Sequence, residues 1–491
     1  MTSNPPRPAV VLAAVFGILL LVILLIFSGL LPPVAGLAAV GLLVVSIFWF
    51  IRENLAPILL VFAGVLFLSV VVTHRAPKLR PDRIAADEGD ALAKKWAVSG
   101  KFNDKLPIVV HLIFDEMMSP GAMTPELPGG AATRQSVLEL GQKHGLRIYD
   151  SVYSRFFFSG ISIPNMMNAE YTAHTKLAEM TLVQSGEHTA NAYFDDMARR
   201  GYRTVVFQSA LMNFCTNKNV DMCQTLDSFD PGAGDTGLDA RNQRASLWQT
   251  FVRAYEPSFM SQLGRALLHR AYGLRTDQVG VMGTADRYDA QRFPAWFDRF
   301  TRFAVTVPRG THIFAHFMAP HSPYLLSERC VVSGQFEGGY YLANYPKAER
   351  EARRRHYYEG YFAQFRCVER KLDDFLSAIE GLETYKDATI IIHGDHGSRI
   401  SSGNVLEEYT PRDFIDNYAA FYAVKSPAAP AGVDCEFVSL PEIFRRTVAV
   451  PPPPPRTGPP LPVIVKGNAE NEKRVEAPMP RFGCAAATLN P

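Results

Sequence analysis

Residues Ala388–Gly397 read ATIIIHGDHG. The run is apolar and rich in isoleucine up to Ile392, then stops on His393, Gly394, Asp395 and His396. A short unbroken apolar run is the pattern of a strand buried on both faces, as in a parallel sheet. A carboxylate and an imidazole at its end are costly to bury unless something compensates them, and a cation does so. A second stretch repeats the arrangement: PIVVHLIF, Pro107–Phe114, runs straight into Asp115 and Glu116. Either pair alone fits a helix cap or a surface turn. Two pairs at the ends of two buried strands point to one edge of one sheet.

Further strands follow from the same pattern outward. LRIYDSVYS (146–154), YRTVVFQSA (202–210), THIFAHFM (Thr311–Met318) and NYAAFYAVKSP (417–427) read as strands. Arg134–His144, Asn191–Arg200 and Arg353–Leu382 have helical spacing, with Tyr361, Phe365, Val368 and Leu372 on one side of the last. Strands that alternate with helices define an α/β fold: a mostly parallel central sheet with helices on both faces. Sites in such sheets lie beyond the carboxyl ends of the strands.

Two more residues sit where that rule looks. Ser159, in FFFSGISIPNMMN, follows a strand and precedes a helix. By local sequence alone it reads as a helix cap; beside a metal its hydroxyl is a nucleophile. His321, in FMAPHSPYLL, follows another strand and fits a general acid, a ligand of a second metal, or a loop histidine without a role. His111, His312, His316 and His393 lie within strands and read as packed or supporting residues. Arg353, Arg354 and Arg355 read as the solvated face of a helix, or as an anion contact. Tyr324 either lines the pocket or packs beside His321.

VVHLIFDEM, FFFSGISIPNMMN, FMAPHSPY and IIIHGDHGS, in that order, resemble the motifs of the alkaline-phosphatase/sulfatase superfamily. The resemblance runs from about Pro107 to Val448. Members with N-terminal membrane helices include phosphoethanolamine transferases and lipoteichoic-acid synthases. The resemblance implies an alkaline-phosphatase-like fold with Ser159 as nucleophile and His321 facing the substrate. It implies metal ligation by Asp115, Glu116, Ser159, Asp395 and His396. The metal is expected to be Zn²⁺ or Mn²⁺, with Mg²⁺ or Ca²⁺ as alternatives. Three departures matter. Sulfatases that form an aldehyde at the nucleophile need Pro or Ala two residues on and Arg four residues on, where this chain has Ile161 and Ile163. The membrane-bound transferases commonly have Thr in place of Ser. They also carry a further histidine after the DHG motif, and none stands between Gly397 and Pro427.

The N-terminus has a different character. No charged residue occurs from Pro8 to Ile51. Ala9–Leu31 is long enough to cross a bilayer, and apolar runs over Val34–Ile51 and about Leu55–Thr73 follow. Three transmembrane helices are expected; a cleaved signal peptide fits poorly. The expected domains are a membrane anchor (1–75), a charged linker (76–104), a catalytic domain (105–449) and a Pro-rich tail (450–491). Arg75, Lys78, Arg80 and Arg83 after the third run favour a cytoplasmic catalytic domain by charge. The six cysteines all follow the membrane region and favour an oxidising compartment instead. Cys215 pairs with Cys223 across a short polar loop in this reading, and Cys435 with Cys484. The chain carries 50 Lys+Arg and 48 Asp+Glu, for a net charge of +2, which argues against nucleic acid as a partner.

The expected protein is a metal-dependent phosphotransferase or phosphohydrolase of a bacterial-type inner (plasma) membrane. Its catalytic domain lies on the periplasmic or extracellular side, and its substrate is a membrane lipid head group or an envelope glycan. The alternatives are a sulfatase proper and a non-catalytic envelope-binding member of the family.

Overall fold

A computed structural model describes residues 81–168, 186–187, 190–209, 212–226, 281–332, 342, 345–403, 408–448, 463–466 and 473–476. All belong to the second of two units, Arg80–Pro491. The three apolar runs expected to span a membrane lie outside the described residues. Among the described residues no helix is long and apolar enough to cross a membrane.

The elements follow in chain order. They are α1 (Pro81–Val98), β1 (Val109–Phe114), α2 (Gly130–His144), β2 (Arg147–Tyr153), α3 (Ser159–Met167), α4 (Ala192–Arg200), β3 (Arg203–Gln208), β4 (Met222–Thr225), α5 (Val281–Ala304) and β5 (Thr311–Phe317). Then come α6 (Lys347–Ile379), β6 (Thr389–Gly394), α7 (Pro411–Tyr418), β7 (Tyr422–Lys425), β8 (Gly432–Ser439) and α8 (Leu440–Val448). Eight strands form one sheet in the order β8-β2-β7-β6-β1-β5-β3-β4. The expected mostly parallel α/β sheet is present. β7 alone runs antiparallel to both its neighbours, β2 and β6.

β1 sits between β5 and β6 in parallel register, with Phe114 beside Phe317 and Gly394. Its side chains alternate between the faces. Val110, Leu112 and Phe114 join a core with Phe293, Phe297 and Phe300 of α5 and Phe365 of α6. Val109 and Ile113 join a second core with Ile163 of α3, Phe194 of α4 and Phe444 of α8. Helices therefore cover both faces, which is why the strands read as unbroken apolar runs. The parallel register brings β1, β5 and β6 to an end at one level, so Asp115, Met318 and Asp395 leave the sheet together.

Two stretches differ from expectation. The region read as a charged linker contains α1, which buries Leu92, Ala93 and Trp96; the Trp96 indole donates to Thr311 Oγ1 at 3.2 Å. Within the region read as a Pro-rich tail, Val463–Lys466 and Lys473–Glu476 pair antiparallel. The expected Cys215–Cys223 disulfide is present, and Cys330 pairs with Cys367. Cys435 is also disulfide-bonded; its expected partner, Cys484, lies outside the described residues.

Candidate active site

Parallel strands expose their last carbonyls and the following side chains at one edge. Asp115 leaves β1 with its N–H still bonded to Phe317 O (2.9 Å). Glu116 then takes a left-handed backbone, φ 64°. A non-glycine residue in that region is strained, and the surroundings hold it there. Its N–H donates to Asp395 Oδ1 at 3.1 Å, and its carbonyl accepts from Tyr361 OH at 2.7 Å. The two motif pairs are thus stitched directly together.

Asp395 and His396 turn out of β6 between two glycines. A methyl group on Gly394 would lie 2.0 Å from Met117 O, and one on Gly397 would lie 2.3 Å from Asp416 O. Only glycine permits such close backbone approach. Gly397 N–H and Arg399 N–H bond to the carbonyls of Asn417 (3.2 Å) and Asp416 (2.8 Å) at the end of α7. Ser162 Oγ donates to Asp395 O at 2.6 Å.

Ser159 is the first residue of α3 and does not cap it; Phe158 occupies the cap position. The serine Oγ donates instead to Asp115 Oδ2 at 3.0 Å and lies 3.3 Å from His396 Nε2. His396 Nδ1 bonds to Gly397 O at 2.9 Å, and a carbonyl only accepts. Nδ1 therefore donates, and Nε2 faces Ser159, Asp115 and Asp395. His321 is likewise anchored through Nδ1. Its Nδ1 bonds to Ser322 O at 2.5 Å, and its Nε2 points at Glu116 Oε1, 3.5 Å away.

All six expected site residues are buried: Asp115, Glu116, Ser159, His321, Asp395 and His396. Five of them fall into two groups that share Asp115. Asp115, Asp395 and His396 offer ligand atoms within 4.8 Å of one another, and so do Asp115, Glu116 and His321. Glu116 thus groups with His321. Buried carboxylate oxygens need partners, yet Asp115 Oδ1 and Asp395 Oδ2 have no hydrogen bond. His396 Nε2 and oxygens of both carboxylates converge here. This donor set fits a divalent cation, for which mixed oxygen and nitrogen ligands are the normal chemistry.

The two adjacent carboxyls are driven apart electrostatically. Burial works against the charged form of Asp115, but His321, His316 and His396 outweigh it and hold the carboxyl below the usual range. For Glu116 burial prevails over His321 and Arg399 and pushes the carboxyl up. Opposed shifts of neighbouring groups are a mark of functional sites.

Arg399 was not singled out from sequence. Arg399 adopts φ 57° and brings Nη1 to 3.6 Å from Glu116 Oε1. His316, expected only as a packed or supporting residue, lies 3.7 Å from Asp115 Oδ2. Arg354 corrects the reading of a solvated arginine face. It is buried on Asp413 and Asp416, while Arg353 stays outside over the Tyr345 ring. Tyr324 is buried edge-on against Tyr361, at 5.8 Å between ring centres.

The family model for Sulfatase matches residues 108–417, and the chain belongs to the sulfatase family. No curated protein sequence matches the chain. Among solved structures, the C-terminal periplasmic domain of EcEptC from Escherichia coli in complex with Zn is similar at 11% identity. That match covers 78% of this chain and 94% of that one, with a TM-score of 0.42. The phosphonate monoester hydrolase of Agrobacterium radiobacter is similar at 15% identity, covering 70% and 74%, with a TM-score of 0.41.

Proposed function

We propose that the chain is a membrane-anchored, metal-dependent phosphotransferase or phosphohydrolase that acts through Ser159. One observation carries the reading: the buried Ser159 Oγ lies within reach of both Asp115 Oδ2 and His396 Nε2, among carboxylate oxygens that accept no hydrogen bond. Asp115, Glu116, Asp395 and His396, with Ser159, would hold a divalent ion such as Zn²⁺ or Mn²⁺. When bound, that ion supplies Lewis-acid stabilisation of the serine alkoxide and of the phosphoryl oxygens.

The chain's own residues do the rest. The Ser159 proton is directed toward Asp115 and His396, which aims an Oγ lone pair outward. The Ser159 proton passes to Asp115 or His396 as Oγ attacks phosphorus, the bond from phosphorus to the leaving oxygen breaks, and that oxygen takes a proton from His321 Nε2. Water, or a lipid or glycan hydroxyl, then gives its proton to His321 and displaces the phosphoryl group from Ser159, whose oxygen takes its own proton back. The disulfides at Cys215–Cys223 and Cys330–Cys367 support a periplasmic or extracellular position for this domain. The apolar runs before residue 75 support an anchor that places it near lipid head groups.

Ile161 and Ile163 after Ser159 favour an unmodified hydroxyl over the aldehyde of a sulfatase proper. Mass analysis of the Ser159 peptide from protein purified with its membrane lipids tests this. A phospho-adduct absent from the Ser159→Ala variant is expected, and its mass names the transferred group. An aldehyde at residue 159 would establish sulfate-ester chemistry instead. An unmodified peptide in protein without bound metal would establish a non-catalytic member.

A further inference from the structure

Helix α6 presents Tyr358, Tyr361, Gln364 and Cys367 at intervals of three residues. Successive residues so spaced are neighbours on a helix surface, and the series winds gradually around it. Each meets a different turn at the sheet edge. Tyr358 OH donates to Asp416 and lies 3.2 Å from Ser398 Oγ, beside the turn after His396. Tyr361 OH donates to Glu116 O at 2.7 Å and accepts from Met118 N–H at 2.9 Å. Cys367 is bonded to Cys330, just after the His321 turn.

Gln364 makes the fullest use of its side chain. It is buried, and its amide nitrogen donates to Pro320 O (3.1 Å) and His321 O (2.8 Å). Its Oε1 accepts from Leu325 N–H (3.0 Å) and Leu326 N–H (3.1 Å). Both donors and both lone pairs of the amide are engaged. One side chain thus closes the turn from Pro320 to Leu326 with His321 inside it.

We propose that Tyr361 and Gln364 are positioning residues, and that α6 acts as a ruler setting the distance between Glu116 and His321. Tyr361 fixes the strained Glu116 backbone, and Gln364, one helical turn on, fixes the backbone that carries the His321 ring. The two groups so held face each other at 3.5 Å. The proposal rests on the reading of His321 as proton donor. A merely structural Gln364 would also leave four backbone groups unpaired on removal, so stability alone does not separate the two roles.

The test uses the full-length protein in detergent with added Mn²⁺ or Zn²⁺. The substrate is phenyl phosphate, whose poor leaving group needs a proton. The variants are Gln364→Met, His321→Ala and their combination. Supporting residues at metal sites typically contribute about 10- to 100-fold. Gln364→Met is therefore expected to lower kcat by about that factor, with KM within about twofold. In the His321→Ala background the same change should alter kcat by less than about twofold, because coupled residues are not additive. An equal loss in both backgrounds, or a loss in KM alone, overturns the proposal.

Hydrogen exchange supplies a readout without turnover. The Leu325 and Leu326 amides should exchange at least about tenfold faster in Gln364→Met, with β1 and β6 unchanged. Unchanged exchange at both overturns the proposal. If wild-type turnover does not depend on Ser159, the functional reading fails; if it does and the Gln364→Met loss is equal in both backgrounds, the positioning role alone fails. If Gln364→Met does not fold, Gln364→Glu takes its place with the same readouts. It keeps the acceptor for Leu325 and Leu326 and loses the donors to Pro320 and His321.

Discussion

His312 is buried as deeply as His396, yet its immediate partners carry no charge. Its ring nitrogens meet Tyr193 OH at 2.9 Å and Thr204 Oγ1 at 3.2 Å, between β3, β5 and α4. Burial holds it down to about 3, against an ordinary value of 6.5. His111, buried beside His393, is shifted the same way. The folded protein therefore binds these protons less readily than the unfolded chain does. The stability they contribute is present above pH 6.5 and is lost as pH falls toward 3. Guanidinium unfolding followed by tryptophan emission should show a lower midpoint at pH 4.5 than at pH 7. His312→Gln, which keeps one hydrogen bond and cannot be protonated, should lose less between the two. An identical loss in both proteins would assign the acid sensitivity elsewhere. His396, equally buried, faces Asp115 and Asp395 instead. Burial alone therefore does not mark an imidazole as functional; what faces it does.

At the scale of elements, α6 is both a wall of the core and the support of the site. The Cys330–Cys367 bond closes a separation of 37 residues onto it. A loop of that size is stabilised by about 3–4 kcal/mol on the chain-entropy account. The double replacement Cys330→Ser, Cys367→Ser should lower unfolding stability by about that amount in denaturant titration. A change below about 1 kcal/mol would mean that the helix holds this segment without the bond. The strands that carry the site were legible because burial on both faces leaves an unbroken apolar signature. α1 was not: Leu92, Ala93 and Trp96 turn inward among exposed Asp90, Lys94 and Lys95, and the charges mask the period. β8, at the edge of the sheet, keeps exposed residues such as Glu436 and so carries no unbroken apolar run. The motif residues were legible as types at strand ends. Arg399 and Gln364 were not, because their partners come from turns distant in sequence. The only trace of Gln364 is an amide inside an apolar stripe with Tyr361, Phe365 and Val368.

At the scale of the whole molecule, the apolar N-terminus and the acidic site are separate statements about one chain. Ala9–Leu31 as a helix would extend about 34 Å, enough for a hydrocarbon layer of about 30 Å. The full-length chain should therefore stay with the membrane pellet through an alkaline carbonate wash. Release into the wash would remove the anchor from the proposed function. The sheet order has a further effect, on the growing chain. β2 lies between β7 and β8, and both are built from residues after Tyr422. About 270 residues must follow β2 before either neighbour exists, which at ~5–20 residues per second is about 15–50 s of synthesis. For that interval both edges of a seven-residue strand have no native partner, the condition in which strands recruit foreign ones. The nascent protein's vulnerability is thus a matter of timing, set by the place of one early strand among the last to be made.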